Sequence, residues 1–402
     1  MPEAVVIGDG PGGLAAAAML QRAGVETVVL DRADSVAASW RGHYDRLHLH
    51  TVRWLSHLPG HHIPRRFGKW VARDDVVRYL EGYAAAHRLD VRLGTAVSRL
   101  DRDGDGWVLR TSASDVTARY VVVATGHNHT PALPDWPGAD AFTGELVHAS
   151  RYRNATPYVG KSVLVVGCGN TGAEIAVDLV ETGAREVSIA IRTSPHIVLR
   201  ENHGIPSLAL GVLFRHLPPR VFDPVAAAMR KRDLGDLTPY GLPTPTDGLY
   251  ERILRDDAIP LVDVGFIDAL KKRQVTVVAA VTGFDGDDVL FADGTRLQPD
   301  AVIAATGYRR GLEPLVGHLG VLGDDGRPTA RGGATSPGVS RLWFTGYTNP
   351  ISGMFRELGI DAKRIARAVV RDRAAGRQVP AVIDALRVTA PTLVPGKEPV
   401  RP

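Results

Sequence analysis

Two short glycine-rich segments have the residue types and spacing that bind the phosphates of a nucleotide. They are GDGPGG, with Gly8, Gly10 and Gly13, and GCGNTG, with Gly167, Gly169 and Gly172. Each segment follows an apolar run typical of a buried strand and precedes a run typical of a helix. In that setting the glycines let the backbone approach a pyrophosphate, and the first helical turn donates N–H groups to it. The sequence therefore predicts two dinucleotide sites, with a tight turn that binds no ligand as the alternative for each.

The residue that ends the second strand of each unit discriminates between the two nucleotides. In the first unit this residue is Asp31, whose carboxylate can accept hydrogen bonds from a ribose diol, as FAD or NAD requires. In the second unit it is Arg192, followed by Thr193 and Ser194, and a guanidinium beside two hydroxyls suits the 2′-phosphate of NADPH. If NADPH occupies the second site, FAD in the first can accept its hydride. The alternatives are a surface cap for Asp31 and a solvated arginine for Arg192.

The elements that must hold these loops occur twice along the chain. Strand, glycine loop, helix and strand are followed by a meander of short strands that ends in YVVVATG, and the second half repeats this order up to AVIAATG. We predict an α/β fold with two three-layer, Rossmann-like domains, the NADPH domain being inserted into the FAD domain. The predicted limits are 1–157 for the first part of the FAD domain, 158–300 for the NADPH domain, and 301–402 for the second part of the FAD domain with a C-terminal helix. Residues 200–250 are predicted to be an inserted lid or substrate segment, with plain solvated helix and loop as the alternative.

Composition restricts the class of protein. The chain has 402 residues, 44% of them hydrophobic and 23% charged, which is ordinary for a globular enzyme. The formal net charge of +4 comes with no nucleic-acid-binding signature, and no apolar run approaches the ~18 residues that span a bilayer. The single cysteine, Cys168, excludes an internal disulfide and favours a reducing, cytoplasmic setting. We expect no nucleic acid and no membrane span, and self-association into a homo-oligomer stays open.

A third motif lies between the two units. In FTGELVHASRY, residues Phe142, Gly144, His148 and Tyr152 match FxGxxxHxxx(F/Y/W), and the segment resembles the motif of class B flavin monooxygenases. The segments SWRGHYDRLHLHT, VLVVGCGNTGAEI, YGLPTP, LVDVGFIDALKKR, AATGY and LWFTGYTNPISGM are similar to the YUCCA-type branch of the flavin-containing monooxygenases. Together these segments span nearly the whole chain.

The resemblance implies an activity and a set of cofactor contacts. It implies that NADPH reduces FAD and that dioxygen then forms a flavin C4a-(hydro)peroxide, which oxygenates a small organic substrate. A 2-oxo acid, a ketone or a specialised metabolite is expected as substrate, since plant YUCCA enzymes convert indole-3-pyruvate to indole-3-acetate. His148 is expected to couple the two domains. The expected FAD contacts are Gly8, Gly10, Pro11, Gly12, Gly13, Asp31, Arg32, Trp40, Leu47, Val97, Thr125, Gly126 and Gly346. The expected NADPH contacts are Gly167, Gly169, Asn170, Thr171, Gly172, Arg192, Thr193, Ser194, Thr306 and Gly307.

One segment departs from the family pattern. Where relatives often read N-x-P-K or H-L-P-K, this chain has His50, Thr51, Val52 and Arg53, and we predict His50 and Arg53 as catalytic residues. A flavin oxidase or dehydrogenase without oxygen insertion and an NADPH-dependent electron-transfer reductase stay as alternative functions. The histidines around His50 lack a carboxylate or cysteine at a familiar ligand spacing, so no metal site is expected.

Overall fold

The computed structural model describes residues 2–202, 204–214, 218–350 and 352–387. Strands in these ranges are β1 Ala4–Ile7, β2 Thr27–Leu30, β3 Asp90–Arg92, β4 Val97–Asp103, β5 Gly106–Thr111, β6 Val116–Ala118, β7 Tyr120–Val123, β8 Thr130–Pro131, β9 Glu145–His148, β10 Ser162–Val166, β11 Glu186–Ala190, β12 Ile197–Leu199, β13 Glu201–Asn202, β14 Ile205–Pro206, β15 Leu261–Asp263, β16 Thr276–Val278, β17 Val281–Asp285, β18 Asp288–Phe291, β19 Arg296–Leu297, β20 Ala301–Ala304, β21 Tyr308–Arg309 and β22 Leu342–Phe344. Helices are α1 Pro11–Arg22, α2 Ala38–Arg41, α3 Arg73–Ala86, α4 Asn170–Thr182, α5 Ser207–Phe214, α6 Pro219–Leu234, α7 Leu249–Asp256, α8 Phe266–Lys271, α9 Glu313–Val316 and α10 Met354–Arg387.

Two five-stranded parallel sheets organise these elements, and four strands follow the same order in both, while the fifth comes last in the chain in the first sheet and first in the second. The first runs β3-β2-β1-β7-β22, and the second runs β16-β11-β10-β20-β9. In each sheet the strand that precedes a glycine loop, β1 or β10, lies at the centre. The carboxyl ends of the parallel strands therefore bring each loop to one edge of its sheet, where nucleotides bind in open α/β sheets.

Each sheet is covered on both faces, which explains its near-continuous apolar strands. In the first sheet Val6, Val29 and Val122 face the helices α1, α3 and α10, whereas Val5 and Val121 face the antiparallel meander β4-β5-β6. The second sheet repeats this arrangement, with α4 and α8 on one face and the meander β17-β18-β19 on the other. The three-layer α/β fold predicted from the sequence is confirmed.

The second sheet is inserted into the first. Strand β22 returns to the first sheet after the chain has completed the second, and α10 packs on α1. Strand pairing places the ends of the second sheet at β9 and β20, outside the predicted domain limits of 158 and 300. The sequence placed the first limit at a turn-rich segment, whereas the outermost strand of the sheet lies before that turn. We keep residues 158 and 300 as the proposed limits of the NADPH domain. Residues 388–402, the end of the predicted last part of the FAD domain, lie outside the described residues.

The segment predicted as a lid or substrate segment forms α5, α6 and the short hairpin β13-β14. Strand β12, just before this segment, pairs in parallel with β15, just after α7. This pairing brings the two ends of the segment close together. Residues 203 and 215–217 of this segment lie outside the described residues.

Candidate functional site

The first glycine loop has room for a ligand at one glycine and none at two others. Gly8 has φ +106°, and a Cβ there would lie 2.5 Å from the carbonyl oxygen of Ala124, just after the neighbouring strand β7. A Cβ on Gly13 would lie 1.7 Å from the carbonyl oxygen of Gly8, so this glycine lets α1 pack against the loop. A Cβ on Gly10 would meet nothing within 4 Å. The loop is thus an open cradle at Gly10, which fits a pyrophosphate.

Asp31 lies beside this cradle, and a second carboxylate lies next to it. Its Oδ2 accepts a hydrogen bond of 2.9 Å from the backbone N–H of Asp9, and its Oδ1 accepts one of 2.8 Å from Ala33. Asp9 is buried, with one carboxylate oxygen that has no hydrogen-bond partner among the described residues. Burial, and then repulsion from Asp31, raise the pKa of Asp9 to about 7. Sequence reasoning overlooked Asp9, although an acidic residue inside a phosphate-binding loop was a visible signal.

A cavity of about 870 Å³ extends from this cradle toward the second domain. The predicted FAD residues that line it are Gly8, Gly10, Pro11, Gly12, Asp31, Arg32, Trp40, Val97, Thr125, Gly126 and Gly346. The far wall comes from the second domain and includes Ile259, Pro260 and Val262. The structure thus brings together residues, such as Gly8 and Gly346, that lie more than 300 positions apart in the sequence.

Two residues of the predicted FAD set do not line this cavity. Gly13 lies behind the loop, as its close approach to Gly8 requires. Leu47 packs instead against the apolar core of the second domain, so the prediction that it packs around FAD needs correction. The physical reason is that residues 43–50 lie between the domains, and Leu47 faces the second domain.

His50 lines the cavity and is held from the other domain. Its Nε2 lies 2.6 Å from Oε1 of Glu174, a buried residue of α4. Glu174 also contributes, after burial, to raising the pKa of Tyr44 well above its usual value. Sequence reasoning missed Glu174, because its partners are distant in sequence and only the docking of the domains brings them together.

Arg53, predicted with His50 as a catalytic residue, does not line this cavity. Its Nε donates to the carbonyl oxygen of Gly68 at 3.0 Å and its Nη1 to that of Ile63 at 3.2 Å. These bonds tie two loops of the first domain together. The structure thus places Arg53 outside the cavity wall, so its predicted catalytic role gains no support from this geometry.

The second glycine loop repeats the geometry of the first. Gly167 has φ +106°, and a Cβ there would lie 2.6 Å from the carbonyl oxygen of Ala305, while one on Gly172 would lie 1.9 Å from that of Gly167. Gly169 is open, as Gly10 is in the first loop. This cradle also fits a pyrophosphate.

The residues between these glycines face the protein. The side chain of Asn170 accepts a hydrogen bond from the N–H of Val262 at 2.7 Å and donates to the carbonyl oxygen of Pro260 at 3.2 Å. Thr171 lies within hydrogen-bond reach of Tyr44 in the first domain. Burial raises the pKa of the Cys168 thiol to about 12, which keeps it protonated.

Arg192 has the surroundings that a phosphate-binding arginine needs. Arg192 and Thr193 are exposed, and no described carboxylate lies within ion-pair distance of Arg192. Ser194 is partly exposed, and its backbone carbonyl oxygen accepts a hydrogen bond of 2.7 Å from Arg252. The guanidinium of Arg192 is thus available to a 2′-phosphate.

His148 of the motif between the units is held by hydrogen bonds within the second domain, and its expected part in coupling the two domains stays a prediction. His148 is buried; its Nδ1 accepts from the N–H of Ser150, so its Nε2 carries the proton that it donates to the carbonyl oxygen of Gly307 at 2.9 Å. Burial lowers the pKa of His148, which keeps the ring neutral. These bonds fix the turn at Gly307, which has φ +85°.

The other residues of the motif, and Thr306, also make contacts in the second domain. The ring of Phe142 lies 5.3 Å from that of Phe284 in the meander, and a Cβ on Gly144 would collide with Phe142. The hydroxyl of Tyr152 donates to Asp178 of α4 at 2.6 Å, and that of Thr306 donates to the carbonyl oxygen of Ala132 at 2.6 Å. The structure thus gives Thr306 a backbone contact in addition to the predicted role near NADPH.

Two further features bear on the chemistry. Within the described ranges, no group of three or more His, Cys, Asp and Glu side chains is arranged to hold a metal ion. Among the helices that the structure describes, none is both long and apolar enough to cross a bilayer.

Comparison with known proteins finds similarity over most of the chain. A family described as pyridine nucleotide-disulphide oxidoreductase matches residues 5–204. The indole-3-pyruvate monooxygenase YUCCA1 of Oryza sativa subsp. japonica is 38% identical over 360 residues, which cover 88% of this chain and 86% of that protein. This chain has one cysteine, which excludes a redox disulfide within the chain. The match to the pyridine nucleotide-disulphide oxidoreductase family therefore reflects the nucleotide-binding fold.

Solved structures agree with these matches. A two-residue variant of a flavin monooxygenase from Stenotrophomonas maltophilia superposes with a TM-score of 0.70 at 27% identity, covering 93% of this chain and 98% of that one. The enzyme OTEMO, in complex with FAD and NADP, has a TM-score of 0.71 at 18% identity and covers 93% of this chain and 85% of its own. The second likeness is one of fold alone.

Proposed function

The chain belongs to the YUCCA-like branch of the class B flavin-containing monooxygenases, and on this premise we propose that it oxygenates a small 2-oxo acid. It is an NADPH- and FAD-dependent monooxygenase that uses dioxygen on a small organic substrate. The observation that supports a 2-oxo acid is the similarity, over most of both chains, to an enzyme named for indole-3-pyruvate. The proposed reaction converts a 2-oxo acid, dioxygen, NADPH and a proton into the carboxylic acid with one carbon fewer, carbon dioxide, water and NADP⁺.

We assign the cofactors to the two cradles. The loop at Gly10 with Asp31 binds FAD, and the loop at Gly169 with Arg192 binds NADPH. When bound, FAD would supply the redox chemistry that links NADPH to dioxygen, and the residues of the two loops would hold the two nucleotides. In this assignment FAD lies at the edge of the first sheet and NADPH at the edge of the second, and Ile259, Pro260 and Val262 of the second domain line the flavin cavity.

The walls of the cavity support this assignment. Leu49, Met354 and Phe355 line it and exclude water, which strengthens the hydrogen bonds of the polar groups inside. His50 is the polar group that reaches the cavity from between the domains, and Glu174 fixes its ring. We propose that His50 holds or releases a proton beside the flavin.

The test is to supply ¹⁸O₂ to the FAD-loaded protein with NADPH and indole-3-pyruvate, with catalase present. Catalase removes free hydrogen peroxide, which decarboxylates 2-oxo acids without an enzyme. We expect one ¹⁸O atom in the carboxylate of indole-3-acetate, and none when the label is supplied as H₂¹⁸O, after correction for exchange.

Other results would point to the alternatives. NADPH consumption that yields hydrogen peroxide in equal amount and no labelled product would indicate an oxidase. Fast NADPH oxidation with an artificial acceptor alone would indicate an electron-transfer reductase. A labelled product from another carbonyl compound, with none from indole-3-pyruvate, would overturn the substrate assignment and leave the monooxygenase activity in place.

We also propose that the protein works in the cytoplasm. The support is its single cysteine, which leaves no internal disulfide to form in an oxidising compartment. Fractionation of cells that make the protein tests this, since activity in a membrane or secreted fraction would contradict it.

A further inference from the structure

A second cavity, of about 1110 Å³, lies beside the flavin cavity and has no part in the cofactor assignment. It is enclosed by β12, α5, α6, residues 244–249 and Pro260, and so by the segment that the sequence predicted as a lid or substrate segment. Leu208 and Pro260 line both cavities. These two side chains therefore lie at the boundary between the two cavities.

The wall at Pro260 is fixed by the second glycine loop. The carbonyl oxygen of Pro260 accepts a hydrogen bond from Asn170, the first residue of α4. Val262, which follows two residues later and lines the flavin cavity, is held by the same side chain. The wall that the two cavities share at Pro260 is thus tied to the loop where we place the phosphates of NADPH.

The lining of the second cavity is mostly apolar. It includes Ile197, Leu199, Leu208, Phe222, Met229 and Leu249. Such a lining binds an aliphatic or aromatic body by excluding water from it.

The cations of this lining are Arg230 and Lys231, and Arg230 has buried donors that are incompletely bonded. Arg230 of α6 is half-buried, and its Nη1 makes a long contact of 3.4 Å with Oγ1 of Thr244. Its Nε and Nη2 are shielded from water and, within the described part of the chain, have no hydrogen-bond partner. Leaving buried donors of a charged group without an acceptor is unfavourable, so a ligand that supplies acceptors binds there with a gain.

The carboxylates of the same lining are already bonded within the protein. Asp247 binds Arg252, Arg255 and His196, and Asp223 accepts from the N–H groups that begin α7. Asp233 accepts from Asn202 and Arg232, and Asp236 accepts from the N–H of Thr238. Asp236 also attracts Arg230, but no described carboxylate accepts a hydrogen bond from Nε or Nη2 of Arg230. These two donors therefore favour a ligand that brings acceptor oxygens, such as a carboxylate.

We propose that this cavity is an entry site for the substrate, in which Arg230 binds the carboxylate and the apolar walls bind the body. That the ligand of this site is a 2-oxo acid rests on the proposed function. A planar guanidinium presents two N–H groups to the two oxygens of a carboxylate, which a neutral carbonyl compound cannot match. The substrate then passes Leu208 and Pro260 to reach the flavin cavity.

The binding experiment needs no turnover. Indole-3-propanoate and its amide share an apolar body and differ in charge, and calorimetry measures their affinity for the oxidised holoenzyme without NADPH. We expect the acid to bind at least tenfold more tightly than the amide. Arg230→Gln should remove this preference, whereas Arg220→Gln, an exposed residue of the same helix that does not line the cavity, should keep it.

The outcomes separate this site from the proposed function. Equal affinities for acid and amide, or an unchanged preference in Arg230→Gln with intact flavin content, would overturn the entry site. In turnover, Arg230→Gln should raise KM for indole-3-pyruvate about tenfold or more with kcat and substrate-free NADPH oxidation unchanged. A fall of kcat with unchanged KM would also overturn it. If indole-3-pyruvate is not oxygenated at all, the proposed function fails, and the calorimetry alone decides the entry site.

Discussion

His50 and Glu174 lie 2.6 Å apart, although 124 residues separate them in the sequence and they belong to different domains. The carboxylate of Glu174 is buried, and His50 faces the cavity where we place the flavin. The pair therefore links the start of the NADPH-binding helix to the flavin site. Other side chains of the same helix continue the link, because Asp178 and Glu181 pair with Arg46, four residues before His50.

We expect His50→Ala to lower the free energy of unfolding by about 1–3 kcal/mol, because Glu174 would keep a buried carboxylate without its partner. Glu174→Ala should lower it by a similar amount, and the double variant by less than the sum of the two. Urea unfolding of the four proteins measures this coupling. His62→Ala, an exposed histidine nearby, is the control, and strictly additive effects would contradict the coupling.

Alanine substitutions at Gly10 and Gly13 of the first loop should have different effects, because a Cβ has free space at Gly10 and none at Gly13. Gly10 has φ −67° and free space at its Cβ position, so Gly10→Ala should fold normally and bind FAD at least tenfold more weakly, since the methyl group occupies the path of the pyrophosphate. Gly13→Ala should fail to fold, because the Cβ would lie 1.7 Å from a carbonyl oxygen. Circular dichroism and flavin content after FAD titration measure the two effects. Normal FAD affinity in Gly10→Ala would exclude this cradle as the FAD site.

Asp9 predicts a pH dependence. Its pKa is raised to about 7 in the folded protein, from an ordinary value of 3.8, so the folded state binds the proton more tightly than the unfolded state. Its contribution to stability is therefore full below about pH 4 and is lost as pH rises through 7. Above that pH the ionised carboxylate also lies beside the loop that we assign to a pyrophosphate, so FAD affinity should fall between pH 7 and 9.

Asp9→Asn keeps the shape of the side chain and removes this titration. Its melting temperature without FAD should fall less between pH 5 and 7 than that of the natural protein, and its FAD affinity should change less between pH 7 and 9. The exposed residue Asp34 gives the matched control, Asp34→Asn, which should behave as the natural protein does. Identical pH profiles for Asp9→Asn and the natural protein would contradict the assignment.

The parts of the fold that the sequence predicted depend on local patterns. A glycine loop between a strand and a helix has the same consequence wherever it occurs, so both cradles and the repeated α/β units could be read directly. The contacts that could not be predicted from the sequence depend on how the two domains pack against each other. Leu47 faces the second domain, and Glu174 reaches the first, because residues 43–50 lie between them. Arg53 bonds to carbonyl oxygens of a loop whose path no local pattern fixes.

Arg192 predicts the choice between the two nicotinamide cofactors. Since its guanidinium is exposed and without a carboxylate partner among the described residues, Arg192→Ala should lower kcat/KM for NADPH by about 10- to 100-fold, or ~1.4–2.8 kcal/mol, through loss of a charge-assisted contact to the 2′-phosphate. The value for NADH, which lacks that phosphate, should stay the same, and Arg192→Lys should recover part of the loss because it restores the charge without the planar fork. Stopped-flow reduction of the flavin by each cofactor measures these values. Arg185→Ala, an exposed arginine of the same domain that pairs with Asp300, should leave both unchanged. An equal loss with NADPH and NADH in Arg192→Ala would show that the residue supports the fold of the site and does not recognise the phosphate.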